Sequence, residues 1–329
     1  MRGAEIARHT GRIEAALAEG AAARSALVAS WSRSARLHGL DAARPLKPAR
    51  LTEAEFRAAR DRMGPLVAAA APILDGLFRA VGGVGCCVLL ADRDGVPLER
   101  RGSRGDDPAF ADWGLWTGAL WSEAAQGTNG IGTCLAEGRA VTIHRDQHFL
   151  ARNTALSCMT APIFDHDGSL AGALDVSSAM PEVTEAVAAL IAHSVAESAR
   201  RIEAEAFRLA FPKARFLLVP GAEGNAAALL AVDGDDLVIG ASRVARQVLG
   251  ITGDLAAAPR PVADLPAIRT TATGATPPPE TPPETLADGE RAVMMRALAR
   301  AGGNVSAAAR ALGISRATLH RKLAARRGQ

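Results

Sequence analysis

Residues 258–284 constrain the fold of this chain most, because they cannot build a hydrophobic core. They read APRPVADLPAIRTTATGATPPPETPPE and hold eight of the eighteen prolines in the 329-residue chain. A stretch this rich in proline and threonine is typical of a semi-rigid, partly polyproline linker. The sequence is therefore predicted to divide into a long N-terminal part and a short C-terminal part on a tether.

The short C-terminal part also differs in charge from the rest of the chain. Residues 291–329 hold nine basic residues and no acidic residue, whereas residues 1–290 hold 29 basic and 35 acidic residues. The charges of +9 and −6 give the net charge of +3. A compact basic end on an acidic body is typical of nucleic-acid binding. A solvated charged face is the alternative, but such faces usually mix both signs.

The bulk composition favours a cytoplasmic protein. Hydrophobic residues make up 48% of the chain, which is enough for real cores. There is no run of about 18 apolar residues, so no membrane-spanning helix and no membrane partner are expected. The N-terminus lacks the apolar segment of a secretory signal. Four cysteines are too few for a disulfide scaffold, which agrees with a reducing compartment.

The long N-terminal part is predicted to contain three segments. Residues 1–50 are expected to be helical. Residues 51–205 are expected to form an α+β domain with an antiparallel sheet, with a Thr52–Glu55 capping box, a helix break at Gly64-Pro65 and hairpins at 85–100 and 159–178. Residues 206–257 read as a short strand–turn–strand unit followed by a helix.

The C-terminal residues 285–329 are predicted to form a small all-α domain. A first helix ends at Gly302-Gly303, and a second helix runs from a cap at Asn304 to Gly313. A tight turn then leads to Ser315, which is predicted to cap the last helix. Two helices joined by a short glycine-containing turn define a helix-turn-helix.

The segment GGNVSAAARALGISRATLHRKL resembles the Fis-type helix-turn-helix at the C-terminus of bacterial enhancer-binding regulators. The resemblance implies that the last helix is a recognition helix and that the domain dimerises on a two-fold related promoter or enhancer site. It also implies the following DNA contacts: Ser315, Arg316, Thr318, His320, Arg321 and Lys322.

The glycine run QGTNGIGTCLAEG, residues 126–138, raises the question of a phosphate site. A phosphate loop of the Walker type needs a Gly-Lys dipeptide, and this chain has none. The G-x-G-x-x-G pattern fails as well, because Leu135 stands where its last glycine would be. The run is therefore predicted to be a tight connection into a short helix that Thr128 or Asn129 caps.

The surroundings of the glycine run carry a second resemblance. The segments SWSRSARLHGLD, CVLLADRDG and residues 112–178 resemble, in order, the GAF-type sensor domain of acetoin- and glycerol-metabolism regulators, over most of residues 25–205. Residues 206–257 resemble a trimmed PAS-type segment. The resemblance implies a small-molecule effector between the sheet and the loops above it. The candidate pocket residues are Trp116, Trp121, Thr128, Asn129, Thr133, Cys134, His148, Cys158 and Asp175.

Several alternatives stay open for these residues. The tryptophans either wall an apolar pocket or belong to the core. A Cys–His pair, Cys134 or Cys158 with His148, is conceivable as a nucleophile, but no catalytic residue is assigned. His144 and His148 lie four apart, yet no metal-ligand pattern such as C-x2-C is present, and neither a metal nor a cofactor is expected.

The resulting hypothesis is a sequence-specific transcriptional regulator that senses a small metabolite. The related regulators usually carry a sigma-54-interacting ATPase domain, whereas here the linker alone joins the predicted parts and no Walker lysine exists. The chain is therefore expected neither to hydrolyse ATP nor to act as a stand-alone sigma-54 activator. We expect a homodimer, with RNA polymerase or a related regulator as a partner. The alternatives are a GAF-fold Cys-dependent redox enzyme or sensor, or an adaptor that modulates a full-length regulator.

Overall fold

The computed structural model describes residues 3–45, 47–219, 228–265 and 285–324. The chain divides into two compact units. Residues 1–164 and 170–206 form the first unit, and residues 165–169 and 207–329 form the second.

The first unit is built on a five-stranded antiparallel sheet with the order β2-β1-β5-β4-β3. The central strand positions read as apolar runs because both faces of the sheet are covered, and every residue of β1 is buried. The expected antiparallel sheet is confirmed. The strands are β1 (Cys86–Asp92), β2 (Pro97–Arg101), β3 (Val141–His144), β4 (Ser157–Phe164) and β5 (Leu170–Ser178).

The described residues up to Ala210 also form eight α-helices. They are α1 (Gly3–Ala18), α2 (Ala26–Ser32), α3 (Glu53–Arg62), α4 (Gly64–Val81), α5 (Asp107–Trp113), α6 (Glu123–Gln126), α7 (Gly130–Glu137) and α8 (Glu185–Ala210). The capping box of Thr52 and Glu55 is present at the start of α3. The predicted break is also confirmed, because α3 ends at Arg62 and α4 starts at Gly64 with Pro65 in its first turn.

Helix α4 is long and apolar enough to cross a membrane by length and composition alone. In the structure it lies against the sheet. Its residues Leu66, Ile73, Leu74 and Leu77 are buried in the same cluster as residues of β1, β4 and β5. The apolar side chains of α4 are therefore buried in the core of the domain, which accounts for the apolar composition of this helix.

The N-terminal helical segment packs onto the first unit instead of standing apart from it. Ile13 and Trp31 form a buried cluster with Phe149 and Leu150. The indole of Trp31 donates a hydrogen bond to the carbonyl oxygen of Gln147 at 2.8 Å. Helix α2 continues into a π-helical turn over Arg33–Leu37, an irregularity that often marks a functional position.

The second unit starts with a small four-stranded antiparallel sheet of order β6-β7-β8-β9. Its elements are β6 (Arg215–Leu218), β7 (Leu229–Val232), β8 (Leu237–Ala241), α9 (Arg243–Leu249) and β9 (Arg260–Pro261). Strand β9 pairs with β8, and Leu265 is buried in the core of this sheet. The predicted linker start at residue 258 is therefore wrong: residues 258–265 belong to the small sheet. Residues 266–284 lie outside the described residues.

The described residues of the second unit also form three further helices: α10 (Leu286–Arg300), α11 (Val305–Ala311) and α12 (Arg316–Ala324). Their core contains Met294, Ala308, Ala309 and Leu319. The small side chains at 308 and 309 let the helices approach closely. Helix α10 begins at Leu286, because Thr285 and Asp288 form a capping box there.

Candidate effector site and nucleic-acid interface

The glycine run forms the turn into α7, and Asn129 is the residue that caps this helix. Its side-chain oxygen accepts a hydrogen bond from the amide of Gly132 at 2.9 Å. Its side-chain nitrogen donates to the carbonyl oxygens of Trp121 at 3.1 Å and of Gly127 at 2.8 Å. Both ends of the Asn129 amide are thus occupied inside the fold, which confirms the capping interpretation.

Two glycines of the run are required by close packing. A Cβ added at Gly130 would lie 2.6 Å from Cβ of Cys158 and 2.8 Å from the carboxylate of Asp175. A Cβ at Gly132 would lie 2.4 Å from the backbone nitrogen of Glu123. These contacts place the N-terminus of α7 directly on the sheet and on α6. The glycines therefore allow α7 to pack closely on the sheet and on α6.

A buried polar cluster lies on the sheet face that meets α7. The hydroxyls of Thr160 and Ser177 both donate to the carboxylate of Asp175. Ser177 also lies 3.1 Å from the sulfur of Cys158, and the Nε2 of His148 lies 3.4 Å from the same sulfur. The structure therefore brings together three of the predicted pocket residues: Asp175, Cys158 and His148.

Burial controls the protonation of this cluster. It raises the pKa of Asp175 to about 6, although Ser177 and Thr160 donate to its carboxylate. It lowers the pKa of His148 to about 4, so this imidazole is neutral near pH 7. Burial also raises the pKa of the Cys134 and Cys158 thiols well above the ordinary value. Since the thiolate is the nucleophilic form, this environment does not activate either cysteine.

A second polar cluster joins the N-terminal segment to α6 and α7 around the carboxylate of Glu123, which is 4% exposed. The hydroxyls of Ser30 and Thr133 donate to it, and Arg33 reaches it with two nitrogens. Thr128 lies 2.7 Å from the Ser30 oxygen. The predicted residues Thr128 and Thr133 thus bond to neighbouring side chains. The sequence patterns did not predict Ser30, Arg33 and Glu123 as members of this cluster.

The two predicted tryptophans lie in different surroundings. Trp121 is 1% exposed in the core under the sheet, and its indole donates to the carbonyl oxygen of Gly114 at 2.7 Å. Trp116 instead stacks on the guanidinium of Arg100, whose Cζ lies 4.2 Å from the ring centroid. Trp121 is therefore a core residue, and Trp116 lines a groove of about 360 Å³ with Phe56, Arg60, Leu98, Glu99, Arg100 and Thr117.

The last helix, α12, separates its residues into two faces. Leu319 is fully buried, while Arg316, Ala317, His320 and Arg321 are exposed. Residues spaced by four, 316 with 320 and 317 with 321, lie on the same side of a helix. The exposed residues therefore form one surface, which we call the α12 face. It contains three of the six predicted DNA contacts.

The other three predicted contacts have partners within the domain. The Ser315 hydroxyl accepts from the amide of Thr318 at 3.1 Å, which confirms the predicted cap, and the two hydroxyls lie 2.8 Å apart. Lys322 forms an ion pair with Glu290 of α10. A cap hydroxyl at the edge of α12 is still able to meet a phosphate, but Lys322 faces α10.

Acidic residues of the small sheet neutralise part of the basic charge in this unit. Arg291 lies 3.3 Å from Asp235, and Arg296 lies 3.4 Å from Asp236. Arg300 makes a close ion pair with Asp264 at 2.7 Å. Among the described residues, Arg316 and Arg321 make no ion pair. The α12 face therefore carries two of the three described arginines of the domain that make no ion pair, the third being Arg310 on α11.

The described residues contain no group of three or more His, Cys, Asp or Glu side chains placed to hold a metal ion. His144, one of the two histidines spaced by four, lies with Nδ1 2.8 Å from the hydroxyl of Ser157.

Comparison with known families separates the two ends of the chain. Residues 65–200 match the GAF domain family, and residues 285–325 match the bacterial regulatory protein, Fis family.

Known relatives combine similar sequences with regulatory roles. The chain is 33% identical over 234 residues to the acetoin catabolism regulatory protein of Cupriavidus necator. The alignment covers 70% of this chain and 35% of that relative. The chain is also 37% identical over 108 residues to the acetoin dehydrogenase operon transcriptional activator AcoR of Bacillus subtilis. That alignment covers 33% of this chain and 18% of the activator. The chain thus spans about a third or less of the length of these relatives.

The fold is also similar to a solved structure, that of the E. coli DhaR(N)–DhaL complex. The TM-score is 0.51 at 17% sequence identity, covering 75% of this chain and 84% of the solved one. At this identity the likeness supports the fold. Together with the α12 face and the sheet topology, these matches show that the chain joins a GAF domain to a helix-turn-helix of the bacterial Fis family.

Proposed function

We propose that this chain is a transcriptional regulator in which the helix-turn-helix binds promoter DNA and the GAF domain binds a small metabolite. The observation that carries the proposal is the α12 face. Its Arg316 and Arg321 project from one side of an exposed helix, while the arginines of α10 and Lys322 pair with acids. Arginine is the side chain that reads guanine edges with two hydrogen bonds.

The regulator is proposed to act in the bacterial cytoplasm as a homodimer on a two-fold related site, as DNA-binding helix-turn-helix proteins do. Leu286 and Val293 on α10 are 97% and 46% exposed, and they supply apolar surface for association. Two named relatives regulate acetoin genes, which makes a small metabolite of carbon catabolism a suitable effector class. Contact with RNA polymerase or a related regulator belongs to the same proposal.

We do not propose an enzyme. The thiols of Cys134 and Cys158 are buried in surroundings that raise their pKa, which argues against a cysteine-dependent redox activity. The chain has no Gly-Lys dipeptide, so it lacks the phosphate-binding lysine that ATP hydrolysis in sigma-54 activators requires.

Selection of genomic fragments by the purified full chain tests the proposal. We expect enrichment of a short motif that occurs as two related half-sites, and loss of the enrichment with Arg316→Ala combined with Arg321→Ala. Arg291→Ala is the matched control, because Arg291 pairs with Asp235. No enrichment by the wild-type chain would contradict DNA-binding regulation. Capture of another regulator by a chain without DNA affinity would support the adaptor alternative.

A further inference from the structure

Arg100 on β2 has a guanidinium whose hydrogen-bonding capacity is only partly used. Its side chain is 10% exposed, and Nη1 lies 2.7 Å from the carboxylate of Asp107. Within the part of the chain that the structure describes, the buried Nε and Nη2 atoms have no hydrogen-bond partner. Leaving buried charged donors unpaired is costly, so this edge is suited to an acceptor from outside the chain.

The unpaired atoms define which kind of acceptor fits. Nε and Nη2 carry two parallel N–H bonds on one edge of the planar guanidinium. This edge matches the two oxygens of a carboxylate, in the two-pronged arrangement that arginine makes with such groups. Asp107 approaches from the Nη1 end, so it leaves the edge free.

The surroundings of the guanidinium are aromatic. The Trp116 ring lies 4.2 Å from Cζ of Arg100, and the Phe110 ring lies 5.6 Å from it. The groove of about 360 Å³ that Arg100 and Trp116 line also has Phe56 and Leu98 in its wall. This volume lies within the range of small-molecule sites. Aromatic and aliphatic walls favour a ligand with an apolar body over an inorganic anion.

Gly102 holds the guanidinium from the other side. A Cβ added at Gly102 would lie 2.5 Å from Nη2 and 2.8 Å from Cζ of Arg100. Residues 103–105, which follow it, are exposed. A larger residue at position 102 would therefore displace the guanidinium without removing any charge.

We propose that Arg100 binds the carboxylate of a small organic acid, with the apolar part of the acid against Trp116 and Phe56. The unpaired Nε and Nη2 atoms take the two carboxylate oxygens. This inference rests on the proposed function and gives the chemical class of its effector as a carboxylic acid.

Isothermal titration of the full chain tests the inference with butyrate, benzoate, their primary amides and inorganic phosphate. We expect saturable binding of at least one carboxylate, and binding of its amide at least tenfold weaker, because the amide lacks the negative charge and the second acceptor. The Arg100→Lys change should weaken binding of the carboxylate at least tenfold, because lysine lacks the planar pair of N–H donors that arginine has. Arg101→Lys is the control. Because Arg101 pairs with Asp75 and Glu99, the Arg101→Lys variant should bind the carboxylate as tightly as the wild type does.

Gly102→Ala keeps every charge and should also weaken the carboxylate, so it decides the question where Arg100→Lys does not fold. Four results would overturn the inference: no saturable carboxylate binding, equal affinity for the amide, preference for phosphate, or unchanged affinity in both variants. DNA binding is measured in the same samples. Specific DNA binding without carboxylate binding overturns this inference alone, whereas absent DNA binding overturns the proposed function.

Discussion

Arg33 and Glu123, 90 residues apart in sequence, form an ion pair in which Nε lies 2.6 Å from Oε2 and Nη2 lies 2.9 Å from Oε1. The pair joins the π-helical turn after α2 to the start of α6. It therefore attaches the N-terminal segment to the connection that leads into the glycine run.

Replacing Glu123 by alanine should destabilise the first unit by about 3 kcal/mol, because a nearly buried carboxylate that pairs with Arg33, Ser30 and Thr133 is lost. Urea unfolding followed by circular dichroism measures the change. The control is Glu53→Ala: the pair of Glu53 with Arg57 is exposed and should be worth under about 1 kcal/mol. Similar losses in both variants would show that the Glu123 cluster has no structural role.

The two glycines Gly132 and Gly138 should respond differently to substitution. Gly132→Ala introduces a Cβ against backbone atoms of Glu123, so we expect a loss of about 3 kcal/mol or more. Gly138 has a φ of 61° and open space around its Cβ position, so Gly138→Ala should cost about 1 kcal/mol. Thermal unfolding compares them. A smaller loss at Gly132 than at Gly138 would refute the close packing of α7 on α6.

Asp175 and His148 should give opposite pH dependences of stability. The folded pKa of Asp175 is raised to about 6, so the stability associated with its neutral form is complete below pH 3.8 and is lost as pH rises to about 6. The folded pKa of His148 is lowered to about 4, so its contribution is complete above pH 6.5 and is lost as pH falls to about 4.

Urea unfolding of wild type, Asp175→Asn and His148→Gln between pH 4 and 6 measures these dependences. Between those values, each group changes the free energy of unfolding by up to about 1.4 kcal/mol per pH unit. Relative to wild type, the Asp175→Asn variant should gain about 2 to 3 kcal/mol of unfolding free energy as pH rises. His148→Gln should gain a similar amount as pH falls. Parallel curves for all three proteins would contradict the burial of these charges.

The four cysteines should resist thiol reagents in the folded protein, because all of them are buried. Burial raises the pKa of Cys86 to about 11 and raises that of the other three as well. Labelling with a chromogenic disulfide at pH 7.5 should therefore be slow until the chain is unfolded, when all four thiols react. Rapid labelling of Cys158 in the folded protein would revive the redox alternative.

Local patterns were enough to predict several elements of the fold. The Thr52–Glu55 box, the break at Gly64-Pro65 and the caps at Asn304 and Ser315 depend on neighbouring residues, and the structure confirms each of them. The antiparallel sheet was predicted from two hairpins and from the family resemblance.

Contacts between distant segments were not predictable from local patterns. Nothing near Arg33 in sequence indicates a partner at Glu123, and nothing near Arg100 indicates Trp116. The basic count of the C-terminal part was also misleading, because Asp235 and Asp264 neutralise arginines of α10. The linker was set too early because proline composition does not show that Arg260 and Pro261 pair with β8.

Binding of the full chain to its selected DNA site, measured by fluorescence anisotropy over a range of salt concentrations, tests the central claim most directly. The DNA affinity of the wild type should fall steeply as the salt concentration rises, because phosphate contacts release counterions. Arg316→Ala should lose about 1–3 kcal/mol on the selected site and much less on scrambled DNA, while Arg291→Ala should change little. Two results would contradict a regulator that reads DNA through α12. One is equal affinity of the wild type and the Arg316→Ala variant for the selected site. The other is equal affinity of the wild type for the selected site and for scrambled DNA.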